Sequence, residues 1–283
     1  MNPRALHFSP GVVLAPVVDW LNNNVHPLFA TISRLCDAIL SAIQTVLLWA
    51  PAPVVIAVVV LAAGWLLSVR LAILAGLALG FCLVAGLWHQ SMATIALITV
   101  AVSISVLIAF PLGVLASRRK TLAAVLRPIL DIMQTVPPWV YLIPAVIIFG
   151  LGRVPALIAT VVYGIPPMLR LTTLAFNQVP KDLLELGQAI GAPPRDVLFK
   201  IELPAAKPTL LVGLNQCILM SLAMVVLAGL VGSGGLGGEV TRGLTRMDMG
   251  LGLRAGLAIV AVAVLLDRLS KGALQRRRPG KAG

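Results

Sequence analysis

The sequence predicts an all-α protein, a polytopic transmembrane helical bundle of about seven spans, and three observations predict it. Hydrophobic residues make up 59% of the 283 and charged residues only 11%, with a mean hydropathy of +1.00. A soluble domain averages about a quarter charged residues, so this chain cannot cover its own surface in water. The apolar residues gather into long runs, and the basic residues collect mostly in every second connection between those runs.

Windows of about 19 residues place spans near 52–69, 71–88, 92–117, 139–151, 155–169, 209–231 and 253–266. Most approach the ~18–20 residues a helix needs to cross ~30 Å of hydrocarbon. The fourth and fifth are short, and the proline-rich stretch between them allows more than one count. Apart from Arg254 at the edge of the last, these cores contain no Asp, Glu, Lys, Arg or His.

Charge placement sets the orientation. Arg118, Arg119, Lys120 and Arg127 form one basic loop, and Arg170, Lys181, Arg195, Lys200 and Lys207 populate a second segment. The tail carries Arg268, Lys271, Arg276, Arg277, Arg278 and Lys281. With seven spans all three lie on one side, against a minority of Arg153, Arg242, Arg246 and Arg254 on the other. The positive-inside rule makes the carboxyl end cytoplasmic. The net charge of +12 is then explained by anionic lipid beside cytoplasmic loops. Nucleic acid is not implied, because the tail lacks aromatic residues that stack on bases.

The organisation follows: an amphipathic interfacial helix within 1–50, two additional transmembrane helices in 51–88, a core over 89–270 and a basic cytoplasmic tail at 271–283. From Leu21 the apolar positions Val25, Leu28, Phe29, Ile32, Leu35, Cys36, Ile39, Leu40 and Ile43 recur at helical spacing. Asn22, His26, Ser33, Arg34, Asp37, Ser41 and Gln44 take the other face, and Trp20 and Trp49 stand near the ends, as in a helix lying in the membrane interface. Pro3, Pro10 and Pro16 interrupt the start of the chain, which does not read as a cleavable signal.

Several candidate motifs carry no chemistry. Cys36, Cys82 and Cys217 are isolated in apolar surroundings, without metal spacing. His7, His26 and His89 are scattered, so no metal site is expected. Gly232, Gly234 and Gly237 match a dinucleotide-loop pattern but follow a run too long for a strand, so they read as a flexible outer loop or gate. Ser103, Ser105 and Ser221 lack a partner base for intramembrane hydrolysis. There is no G-x-x-x-x-G-K-[ST] loop, so the chain is not expected to be an enzyme or to bind ATP itself.

The segment 179–204 lies between the fifth and sixth spans and carries Asp182, Glu185, Asp196 and Glu202. Pro180 is suited to start a helix and Gly191 to end it in the left-handed conformation. Pro193 and Pro194 suit the entry of a second short helix that Pro204 closes. The result is a rigid polar elbow outside the bilayer. Glu185, then Gly191 six residues on, then Ile201, Leu203 and Pro204 resemble the "EAA" loop of ABC importer permeases, with Leu186 and Gly187 standing where two alanines are usual. Arg127–Gly150, Val154–Thr160, Ile165–Thr172 and the closing stretch from Ala255 to Arg268 resemble the proline/glycine betaine permeases, so the likeness runs from about Trp88 to Arg268.

That resemblance implies the type I ABC importer permease fold and import of a small quaternary ammonium solute or proline by alternating access. It implies coupling through Glu185, Gly191, Ile201, Leu203 and Pro204 to a cytoplasmic ABC ATPase subunit, which binds the ATP. A second permease copy, an external substrate-binding protein and a place in the bacterial inner membrane come with it. Asn215, Gln216 and Ser221 on the sixth span either line the translocation path or form interhelical hydrogen bonds. The alternative is an ion-coupled secondary transporter, which normally keeps ionisable residues at mid-membrane. No span core has one there.

Overall fold

The computed structural model describes residues 26–275, together with Pro16. Leu21, Asn22, Val25 and Trp20 of the expected interfacial helix lie outside them, as do Arg276, Arg277, Arg278 and Lys281 of the tail. Every regular element among the described residues is helical. Five helices are long and apolar enough to cross a membrane, six if one bent pair counts as a span.

Three of these form the centre. Helix α4 (Trp88–Arg118), α7 (Arg153–Asn177) and α9 (Leu203–Ala228) pack so closely that glycine marks the crossings. A Cβ on Gly113 of α4 would lie 2.6 Å from Thr172 Cβ of α7, and one on Gly213 of α9 would lie 3.1 Å from Leu171 Cβ. Ser105 of α4 donates to the Val161 carbonyl and Thr173 of α7 to the Gly113 carbonyl, so α4 and α7 run parallel and α9 returns between the same ends. Pro111, Pro166 and Pro167 sit inside α4 and α7 without ending them. Buried neighbours hold these helices across the missing N–H groups.

The other elements surround this centre. Among the described residues from 26 onward, α1 (His26–Leu48) comes first, then α2 (Ala52–Leu66) and α3 (Val69–Val84). The latter two were expected as full spans, but with 15 and 16 residues they reach only about 22–24 Å. The Ser68 side chain caps α3 through the Leu71 N–H, which fixes the break between them. The expected fourth span, 139–151, holds only the 3₁₀ turn Pro138–Tyr141 and α6 (Leu142–Phe149), and the expected basic loop before it is instead largely helical, α5 (Lys120–Thr135), meeting them at 108°. Pro137 and Pro138 impose the break, and the Tyr141 hydroxyl donates to the Met133 carbonyl across it.

The last third closes the bundle with α8 (Lys181–Ala189), α9, α10 (Gly235–Thr245) and α11 (Met249–Gln275). The glycine-rich segment is not a flexible loop. It folds α10 back onto the bundle, where Gly237 comes so near that a Cβ would lie 2.6 Å from the Val225 carbonyl. Leu236 is buried with its N–H donated to the Thr94 hydroxyl, and buried Glu239 accepts from Arg242 at 2.7 and 3.0 Å.

Candidate coupling loop and translocation elements

The elbow is built as the spacing predicts at its first half and differently at its second. Pro180 precedes α8, and Gly191 follows it at φ +66 with its N–H on the Gln188 carbonyl at 2.9 Å. A Cβ on Gly191 would meet nothing within 4 Å, so glycine is required there for its backbone conformation and not for space. Gly187 is the reverse case. It is buried, and a Cβ there would stand 2.8 Å from Ile201 Cδ1. The departure from alanine at 187 forms the seat into which Ile201 closes the second half of the loop on the first.

That second half is not a separate short helix closed by Pro204. A helical turn at Pro194–Asp196 passes through a π-helical stretch, Val197–Glu202, directly into α9. The Leu203 N–H bonds the Leu198 carbonyl five residues back. The wider π turn gives Pro204, in the first turn of α9, a position where its ring and missing N–H do little harm. Pro194 to Val231 is therefore one helical rod of 38 residues, joining the loop to the membrane.

Of the remaining loop residues, Glu185 is exposed and enters no ion pair among the described residues, Leu203 is half-buried and Pro204 exposed. Around Glu185 the surface is apolar: Leu183, Leu186 and Ile190 are all exposed, as is Phe199 on the rod.

Asn215, Gln216 and Ser221 are not brought together. Asn215 Oδ1 lies 3.4 Å from the Ser270 hydroxyl of α11, and Gln216 is exposed. Ser221 is fully buried where α9 crosses α7, its hydroxyl without a partner. A Cβ on Gly164 of α7 would sit 3.0 Å from Ser105 Oγ, 3.1 Å from Cys217 Sγ and 3.2 Å from Ser221 Oγ. This is a packed helix crossing.

Two ionic contacts were not read from the sequence. Buried Glu202 accepts from Arg118, the last residue of α4. Arg153, at the start of α7, donates to Asp37 at 2.7 Å and to Ser41 and Gln44 at 3.1 Å each. Asp37, Ser41 and Gln44 of the polar stripe thus face Arg153, while Arg34 of the same stripe is exposed, as are Leu28, Leu35 and Val46. Along α1 the partners belong to one end of the bundle: Phe29 meets Phe149, 5.5 Å between ring centroids, and Leu47 and Leu48 pack with Trp88 and Met92. The spacing of 37, 41 and 44 was the available signal, and a lone cation opening an apolar run at 153 was the other half of it.

A bundle with a glycine-rich helix folded back onto it and an exposed elbow at the end of a span-length rod has the architecture of an importer's membrane subunit. The family model described as "Binding-protein-dependent transport system inner membrane component" matches residues 105–278, and the chain belongs to that family. Among similar proteins, the glycine betaine/proline betaine transport system permease protein ProW of Escherichia coli is 42% identical over 90% of this chain and 72% of its own length. The glycine betaine transport system permease protein OpuAB of Bacillus subtilis is 39% identical over 93% of this chain and 94% of its own. An inward-facing structure of the MetNI methionine ABC transporter matches with a TM-score of 0.57 at 24% identity, over 67% of this chain and 93% of that one. This agrees with the type I importer permease fold.

Proposed function

We propose that the chain is the permease subunit of an ATP-driven importer of a small quaternary ammonium osmoprotectant, of the glycine betaine, proline betaine or choline type, or of proline. Two copies form the pathway. A cytoplasmic ATPase subunit binds and hydrolyses the ATP, and an external binding protein delivers the solute. The chain sits in the bacterial inner membrane with its carboxyl end and the 180–204 elbow in the cytoplasm.

One observation supports this reading above others: Glu185 stands exposed amid Leu183, Leu186 and Ile190 on a helix keyed through Ile201 to the rod that becomes α9. An ATPase docked on that face moves α9 when it moves, so closure of two ATPases draws two elbows together and changes which end of the pathway is open. The permease then supplies a path and a lever. Recognition of the methylated ammonium, which calls for aromatic faces, falls to the binding protein.

The test is uptake of radiolabelled glycine betaine by proteoliposomes holding the permease, its ATPase and the binding protein. Uptake should require ATP on the ATPase side and stop without the ATPase. Uptake driven by a sodium or proton gradient without ATP would instead establish the secondary transporter.

A further inference from the structure

The elbow touches the centre of the bundle through an unusual tie. Glu202 is the last residue of the π-helical stretch, the point at which the rod enters α9, and it is only 1% exposed. Arg118, 84 residues away, ends α4 and is the one donor to its carboxylate among the described residues. No other ion pair among them joins the 180–204 segment to a different helix, since Lys200 pairs with Asp196 inside the segment itself.

Apolar packing around this tie is incomplete. A cleft of about 420 Å³ opens between Val114 of α4 and Leu184, Gln188 and Val197 of the elbow. Adjoining it, and sharing Val114 and Leu198, an apolar groove of about 280 Å³ lies between Pro111 and Leu115 of α4 and Phe199 of the rod. Arg118 lines both gaps and Glu202 the first. A carboxylate this deeply buried is costly to leave without its cation. A displacement of the rod must therefore carry Arg118, and the end of α4, with it.

We infer that Arg118 and Glu202 are positioning residues that form a coupling strut, by which motion of the elbow is transmitted to α4 as well as along α9. This rests on the reading of 180–204 as the ATPase-coupling segment. The strut makes the cytoplasmic ends of α4 and α9 move as one body. Without it the elbow drives α9 alone, and ATP is hydrolysed without full opening of the path.

The experiment uses the complete complex in proteoliposomes and measures glycine betaine moved per ATP hydrolysed. Glu202→Ala and Arg118→Ala should each leave the ATPase bound and hydrolysis stimulated by the loaded binding protein, yet lower that ratio by ~10-fold, a typical size for lost coupling between sites. The double variant should be no worse than either single one. The reversed pair, Arg118→Glu with Glu202→Arg, should recover most of the ratio. An apolar pair, Arg118→Leu with Glu202→Leu, should restore stability without restoring the ratio. Unchanged ratios in both single variants would overturn the strut, as would equal recovery by the apolar pair. Loss of the ATPase from the complex would also overturn it, because the pair would then only shape the docking surface. Should Glu202→Ala not accumulate in the membrane, Arg118→Ala, whose side chain is half in water, decides alone. The underlying reading fails separately, if Gly191→Val leaves both ATPase binding and transport intact.

Discussion

Ile201 closes onto Gly187: the branched side chain fills the space where a Cβ at 187 would stand, 2.8 Å from its Cδ1. The two halves of the elbow are held by this contact between the middle of α8 and the π-helical stretch that leads into α9. Glycine in the middle of a helix costs about 1 kcal/mol relative to alanine, so the sequence gives up local helix stability for a close approach.

Substitutions at 187 should therefore grade with size. Gly187→Ala gains about 1 kcal/mol of helix propensity and asks only the flexible end of Ile201 to move, so ATPase association should stay near normal. Gly187→Leu should pry the halves apart and release the ATPase on co-purification. Adding Ile201→Ala to Gly187→Leu should recover part of the association. A wild-type complex with Gly187→Leu would show that the contact does not shape the docking face.

Gly191 is constrained differently. Its φ of +66 lies in the left-handed region, and the space around it is open. A Val there is strained by about 1–2 kcal/mol, whereas Asn adopts that region readily. Gly191→Val should weaken ATPase binding or uncouple hydrolysis from uptake while the permease still reaches the membrane; Gly191→Asn should retain function. Equal loss in both would mean that the open space at 191 is filled by the partner, and that conformation is not the requirement.

The part of the fold legible in the sequence was the part set by local rules. Apolar runs located α4, α7, α9 and α11, and the Pro180 and Gly191 punctuation located α8, because span hydrophobicity and cap chemistry are written in adjacent residues. The continuation through Pro204 was not legible. A proline ordinarily stops a helix, and only the π turn, whose Leu203-to-Leu198 bond depends on packing, lets the rod pass. Ser221 reads as a path residue because a hydroxyl in a span has two uses, and which one applies depends on the facing helix. The Arg118–Glu202 and Arg153–Asp37 contacts join positions more than 80 residues apart, a pairing for which one sequence carries no signal beyond the charges themselves.

At the other end of the bundle, Arg153 holds α1 through Asp37, Ser41 and Gln44. Headgroup-facing serine would tolerate a charge at 41, but the geometry reverses that expectation. Ser41→Lys sets a second cation beside Arg153, and Asp37→Ala removes its counter-charge. Because Arg153 and Asp37 are both partly in water, the ion pair itself is worth at most about 1 kcal/mol, and Ser41→Lys should be the more disruptive change through direct repulsion. Cysteines replacing Phe29 and Phe149, whose rings are in contact, should cross-link in the otherwise native chain and lose that reaction with Ser41→Lys. Undiminished cross-linking would show that α1 is held by its apolar contacts alone.

The last prediction separates packing from pathway on α9. Ser221 is fully buried with an unpartnered hydroxyl against Gly164, whereas Gln216 is exposed on another face of the same helix. Removing a buried hydroxyl that has no partner relieves a desolvation cost of about 1–3 kcal/mol, so Ser221→Ala should leave uptake unchanged and thermal stability equal or higher. Gly164→Val should do the opposite. Its side chain would press on Ser105, Cys217 and Ser221 at once, and overpacking of this kind costs about 1–3 kcal/mol. The protected thiol of Cys217 should then react with a maleimide at a lower temperature. Gln216→Ala should preserve the melting temperature; a change in uptake there places the exposed face of α9 on the path. If Ser221→Ala instead lowers uptake at unchanged stability, its hydroxyl meets the solute in another state of the transport cycle, and the crossing at Gly164 must open during transport.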